Sequence, residues 1–168
     1  MADLTTYHAL RKSLQTGDTL SFSGTSLLAR LIRWRTHSKT SHVGMLIRLP
    51  YTTERVVLAQ ADPAHGVHLV AASHYLQRRD GPVWLHQLTP ATRTMHPQLD
   101  RKLLDAAITR LGYRYEWPLR FVLPWLRRQA EAAFCSEFTA ECFREAGLEQ
   151  DTEVTPAQFI QQPAFCPA

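Results

Sequence analysis

Cysteine is scarce in this chain: Cys135, Cys142 and Cys166 are the three in 168 residues. An odd, low count argues against a disulfide framework as the organising device. Cys-x-x-Cys pairs, HExxH helices and EF-hand loops are absent, so neither a metal nor another cofactor is expected. No apolar run approaches the roughly eighteen residues of a membrane span. Residues 1–7 lack the basic segment and apolar core of a secretory signal. The expected location is therefore cytoplasmic; export by phage lysis or a dedicated secretion system would leave no mark in the sequence. Long Lys/Arg runs, zinc-finger spacings and RNA-recognition signatures are missing too. The net charge of +4 is then all that points to nucleic acid, and an ordinary basic surface explains it equally well, so no nucleic-acid partner is expected.

What is present is an ordinary globular composition, 45% hydrophobic and 20% charged, on a chain long enough for one sizeable core. No internal repeat or low-complexity linker divides it, and residues 1–168 read as a single domain with its core at about 15–160. Residues 1–14 form a short helix or an irregular lead-in. Gly17-Asp18 punctuates a polar–apolar alternation over 19–23, the mark of a half-buried strand. Gly24-Thr25-Ser26 caps a helix whose apolar side carries Leu27, Leu28, Leu31 and Ile32, with Arg30, Arg33 and Arg35 opposite.

Strand-forming runs follow at 42–49, 56–61, 67–70 and 82–88, the first two as an antiparallel hairpin. Pro97 and Gly112 then bracket a helix with an apolar stripe of Leu99, Leu103, Leu104, Ala107, Ile108 and Leu111. Residues 117–133 are expected to be partly helical with a break at Pro124. Residues 135–146 form a helix closed by Gly147, and Thr155-Pro156-Ala157-Gln158 reads as a capping box with a first-turn proline. The tail, 163–168, is expected to be loose. Strands first and helices later predict an α+β fold, with an antiparallel sheet or partial barrel packed against helices.

Cys135 stands at the first turn of the helix over 135–146. The positive end of the helix dipole favours a thiolate, and backbone N–H groups there can stabilise an oxyanion. The ordinary alternative is an inert core thiol, since free cysteine is among the most buried residue types. Cys142, two turns further on the same face, reads as core, and Cys166 as incidental. His42 opens the strongest strand run, where it can reach the sheet edge and meet a helix terminus; with eight histidines in the chain, a partly exposed sheet histidine is the alternative. Gln60 interrupts an apolar strand and could accept from an imidazole N–H, fixing its tautomer. Asp62 could fill that role with greater charge stabilisation.

Three motifs in order, Gly17-Asp18-Thr19-Leu20, Ser41-His42-Val43-Gly44-Met45 and Cys135-Ser136-Glu137-Phe138, resemble the circularly permuted branch of the NlpC papain-like superfamily, the YiiX/YebB-type hydrolases. His65-Gly66-Val67, Gly81-Pro82-Val83-Trp84, Gly112-Tyr113-Arg114-Tyr115 and Thr155-Pro156-Ala157-Gln158-Phe159 are similar as well. The resemblance covers about residues 15–160 and implies a permuted papain-like fold. It also implies a thiol hydrolase with Cys135 as nucleophile, His42 as base and Gln60 as polar third residue. Ser41, Tyr115 and Ser136, within or beside the matching motifs, become substrate-binding positions. The family often has a glutamate near the third position, where this chain reads Leu58-Ala59-Gln60-Ala61-Asp62. Relatives cleave amide bonds in peptidoglycan stem peptides; the lecithin–retinol acyltransferase-like branch acts on lipids. The expected partner is thus a peptide, an amide or a lipid-acyl substrate. A non-catalytic papain-like binding module is the competing class.

Overall fold

The computed structural model describes residues 4–51, 55–78, 81–116, 132–149, 151 and 154–165. Its strands are β1 (Thr19–Phe22), β2 (His42–Arg48), β3 (Val56–Asp62), β4 (Gly66–Ala71), β5 (Val83–His86), β6 (Arg114–Tyr115) and β7 (Ala132–Ala133). Its helices are α1 (Leu4–Leu10), α2 (Leu27–Thr36), α3 (Ala72–Gln77), α4 (Pro90–Met95), α5 (Leu99–Thr109), α6 (Cys135–Glu145) and α7 (Pro156–Phe159). The first five strands form an open sheet, β4-β3-β2-β1-β5, antiparallel throughout, and β6 pairs with β7 in parallel. The α+β expectation holds, with an open sheet packed by helices.

Side chains alternate across a strand, so β2 and β3 feed two apolar layers. Val43, Met45, Ile47, Ala59 and Ala61 pack with Leu103, Phe138 and Phe143 from α5 and α6. Leu46, Val56 and Leu58 join Leu20, Phe22, Tyr7 and Leu76 on the other side. Cover on both faces is why β1, expected to be half-buried, is buried at all four positions. The Gly17-Asp18 pair has a packing reason. Gly17 has φ +89°, and a Cβ there would stand 2.5 Å from Leu88 Cδ1. Asp18 is 1% exposed; it accepts from Arg93 Nη2 at 2.6 Å and from the Leu88 N–H at 3.2 Å, tying α4 and the end of the β5 segment to β1.

Several local expectations are corrected. On α2, capped by Ser26, Leu27 and Trp34 are 82% and 72% exposed and Leu31 is exposed too; Ala29 and Ile32 make the buried side. Ile108 on α5 and Leu111 just beyond it are exposed, and Ala106 joins Leu99, Leu103 and Ala107 inside. Of the segment 117–133, expected to be helical in part, residues 132–133 are strand, and 117–131, with the expected break at Pro124, lie outside the described residues. The described part of the tail, 163–165, is anchored: Phe165 is buried, bridges to Leu88 and packs its ring on Phe143 and Phe159. Helices α3 and α4 are too short to leave a periodic signal and were not expected. Thr155 and Gln158 do form a reciprocal capping box at α7, with Pro156 in its first turn.

Candidate active site

Neighbouring strands bring three polar side chains into one row, buried at His42 and Gln60 and partly exposed at His68. His42 lies at the start of β2, Gln60 near the end of β3, and His68 opposite Gln60 on β4. His42 Nε2 stands 2.8 Å from Gln60 Oε1, and Gln60 Nε2 stands 3.2 Å from His68 Nε2. His68 Nδ1 is 3.0 Å from the Gly66 carbonyl oxygen. These pairings fix the hydrogens for neutral rings. A carbonyl oxygen only accepts, so His68 Nδ1 donates and its Nε2 accepts from the Gln60 amide. The Gln60 oxygen then accepts from His42 Nε2–H, which makes Nδ1 the basic nitrogen of His42. Gln60 is 0% exposed and His42 8%, so the row is screened little by water.

Cys135 is brought to this sheet by a short succession of contacts. A Cβ on Gly66, whose φ is +68°, would lie 2.1 Å from the Tyr113 carbonyl oxygen. That close approach lets the Val67 N–H donate to Tyr113 O at 2.8 Å and the Gly112 N–H to Val67 O at 2.9 Å. β6 follows directly and pairs with β7, and Cys135 begins α6 two residues after β7. Helix α6 packs on β2 and β3. Its first turn is closed by Glu137, whose Oε2 accepts from the Phe134 N–H at 3.3 Å. Cys135 is 0% exposed and belongs to the same packed cluster as Val43, Ala59 and Ala61, the strand neighbours of His42 and Gln60.

Tyr115 sits between the two halves. Its ring meets Phe134 at 5.8 Å between centroids. Burial raises its phenol pKa above the ordinary value, and negative charge at Cys135 and at Asp62 adds to the rise. One hydroxyl thus senses both the helix-borne sulfur and the far end of β3. Cys142, by contrast, is fully buried, and burial pushes its thiol up to about 12. Cys166 lies outside the described residues.

The remaining expected positions are engaged inside the fold. The Ser41 hydroxyl accepts from the Gly24 N–H at 2.9 Å and donates to Phe22 O at 3.2 Å. Ser136, fully buried, donates to Val154 O. Asp62 Oδ1 accepts from the backbone N–H groups of Ala64 and His65, both at 2.9 Å, and lies 3.2 Å from His65 Nδ1. Its Oδ2 lies 3.5 Å from His68 Nε2. His65 and His68 were not expected as ligands; the available signal was the Asp-x-x-His-x-x-His spacing folded back by the turn at 63–65. Although no metal was expected, one donor atom from each of Asp62, His65 and His68 lies within 4.8 Å of the others.

Fold and side chains together define a mixed α+β protein with a histidine–amide row on its sheet and a cysteine opening a helix packed on the same strands. Among solved structures the chain is similar to the metalloprotein YiiX from Escherichia coli O157:H7, DUF1105. The two are 18% identical with a TM-score of 0.69, over 90% of this chain and 94% of YiiX. The likeness is one of fold. No protein-family model matches the chain, and no curated protein does.

Proposed function

We propose that the protein is a cysteine hydrolase of the permuted papain-like type that cleaves an amide bond through a thioester. His42 Nδ1 takes the proton from the Cys135 thiol, and the sulfur attacks the substrate carbonyl carbon. Backbone N–H groups at the start of α6 stabilise the oxyanion. Collapse expels the amine, which leaves with the proton held by His42. Water, deprotonated by His42, then opens the thioester and releases the acid and the thiol. Gln60 holds the imidazole by accepting from Nε2–H, the orienting part of a triad's third member. Being neutral, it stabilises the imidazolium less than a carboxylate would.

The observation that carries this reading is the 2.8 Å contact between His42 Nε2 and Gln60 Oε1, buried on the strands against which α6 packs. It leaves Nδ1 as the basic nitrogen. A pocket between residues 36–40 and the α7 segment includes Thr40, two residues before His42 in the chain. Peptidoglycan stem peptides are the first substrates to try. A lipid-acyl substrate is favoured by one separate feature, the exposed Leu27, Leu31 and Trp34 beside exposed Arg30 on α2. The test is a panel of stem peptides, simple amides and phospholipids with the native protein and Cys135→Ala. Product release by the native protein alone, with a thioester on Cys135 in the mass spectrum, supports the reading. Equal turnover by both proteins overturns it.

The second reading is a non-catalytic binding module, favoured by the complete burial of Cys135. It predicts no labelling of Cys135 by a thiol-directed probe, whereas the hydrolase reading predicts labelling that falls in His42→Ala.

A further inference from the structure

We propose that Asp62, His65 and His68 form a binding site for a divalent cation of the Zn2+ class, and that filling it withdraws His68 from Gln60 and loosens the His42 imidazole. The first half stands on the site alone; the second rests on the catalytic reading above.

The donor set has the right kind and spacing. Two imidazoles and one carboxylate suit zinc and its borderline neighbours better than calcium or magnesium, which take oxygen ligands. His68 Nε2 and Asp62 Oδ2 are 3.5 Å apart. Two ligands at about 2.0–2.1 Å on a tetrahedral ion are separated by roughly 3.4 Å. The third donor, from His65, lies within 4.8 Å of both. Three protein ligands leave a fourth position for water.

The supports behind the ligands are also in place. A metal-bound histidine typically donates its other ring N–H to a carbonyl or carboxylate, which fixes the tautomer. His68 Nδ1 does so to Gly66 O. A ligating carboxylate is in turn held by hydrogen bonds. Asp62 Oδ1 is held by the Ala64 and His65 N–H groups, which leaves Oδ2 aimed at His68.

The His68 Nε2 lone pair is the acceptor for the Gln60 amide. An ion on His68 Nε2 displaces that amide N–H, and the Gln60 side chain loses one of the two contacts that orient it. The other contact is with His42. Metal binding and imidazole positioning therefore draw on one pair of electrons.

Binding is measured first in Cys135→Ala, stripped with chelator, by Zn2+ calorimetry and Co2+ absorption. One equivalent should bind, with no thiolate-to-cobalt charge-transfer band. Adding His68→Ala, Asp62→Asn or His65→Ala should weaken binding at least tenfold, while His8→Ala, remote in sequence and exposed, should not. Absence of binding, a thiolate band, or affinity indifferent to all three ligand changes overturns the site. Labelling of Cys135 in otherwise native protein is measured second. Zn2+ should slow it severalfold, and His65→Ala, which leaves the Gln60–His68 contact intact, should abolish the slowing. Slowing that persists in His65→Ala overturns the coupling. Zn2+ binding without any labelling of Cys135, metal-free or loaded, keeps the site and removes the catalytic reading instead.

Discussion

The two ends of α6 are fastened by different chemistry. At the C-terminal end the contacts are full charges. Arg110, at the end of α5, donates to Glu145 Oε2 at 2.8 Å and lies 3.4 Å from Glu141 Oε2. The hydrogen bond to Glu145 raises the Arg110 pKa and holds the Glu145 carboxyl below its usual range. At the N-terminal end the adjoining strands present an amide and two imidazoles in a row, with the Asp62 carboxylate 3.5 Å from His68. Ion pairs hold protons where they are, which suits a clamp. Imidazoles exchange protons near neutral pH, which suits a site. One helix thus joins a region built to stay put to a region able to change protonation.

The sharpest break in this comparison is thiol reactivity. At pH 8 a thiol at about 12 is thiolate in only about one molecule in ten thousand. Site-resolved alkylation is expected to modify Cys135 at least about a hundredfold faster than Cys142. Comparable rates would erase the distinction between the two ends. Next in size is the clamp. Arg110→Ala removes the guanidinium that faces the buried Glu141 carboxylate; because Glu145 is 48% exposed, the expected loss is about 2–4 kcal/mol, between the exposed and fully buried limits. Urea unfolding measures it, and a loss under about 0.5 kcal/mol would reclassify the clamp as a surface pair.

Removing the amide from the neutral row should cost less stability and more chemistry. Gln60→Ala removes the buried amide oxygen that accepts from His42 and is expected to lower stability by about 1–3 kcal/mol. Alkylation of Cys135 should slow about tenfold or more in the same variant, the scale of a lost general-base contribution. Unchanged labelling would separate Gln60 from the imidazole's function.

A smaller effect is set by pH. Burial lowers the His86 pKa, and its Nε2 lies 2.8 Å from Ser21 Oγ. The unfolded chain binds a proton at His86 before the folded protein does, so this residue makes stability fall as pH drops below the ordinary histidine value of about 6.5. The carboxyl of Glu145, lowered in the fold, contributes stability above the ordinary carboxylate value of about 4.3 that is lost as pH falls through the lowered one. The two windows separate in urea midpoints followed from pH 8 to pH 3, and His86→Asn should flatten only the upper one. Smallest of all, Leu27→Ser and Trp34→Ser on exposed α2 should leave stability within about 0.5 kcal/mol; a larger loss would place that face against another part of the protein.

What could be foreseen follows from how local each signal is. The succession of strands along the chain, the helix caps at Ser26 and Thr155, the helix starting at Cys135 and the candidacy of His42 and Gln60 all rest on residues within a few positions of one another. The exposed side of α2 could not be read, because Leu27, Leu31 and Ile32 share helical spacing and only tertiary placement decides which of them meets the sheet. The buried Phe165 was missed because its partners, Leu88, Phe143 and Phe159, come from distant parts of the chain. His68 was missed because one histidine among eight acquires meaning only when β4 folds back beside β3.

The missing side chain at Gly66 carries a consequence for redesign. Pro63 and Ala64 in the adjoining turn are exposed, so new side chains there meet solvent. Position 66 differs, because even a methyl group there meets the Tyr113 carbonyl. The segment it would push away leads into Tyr115 and is paired through β6 with the strand preceding Cys135. A library that randomises the turn while keeping Gly66 would tune the donors of Asp62 and His65; one that includes position 66 would mostly collect proteins whose two halves no longer register.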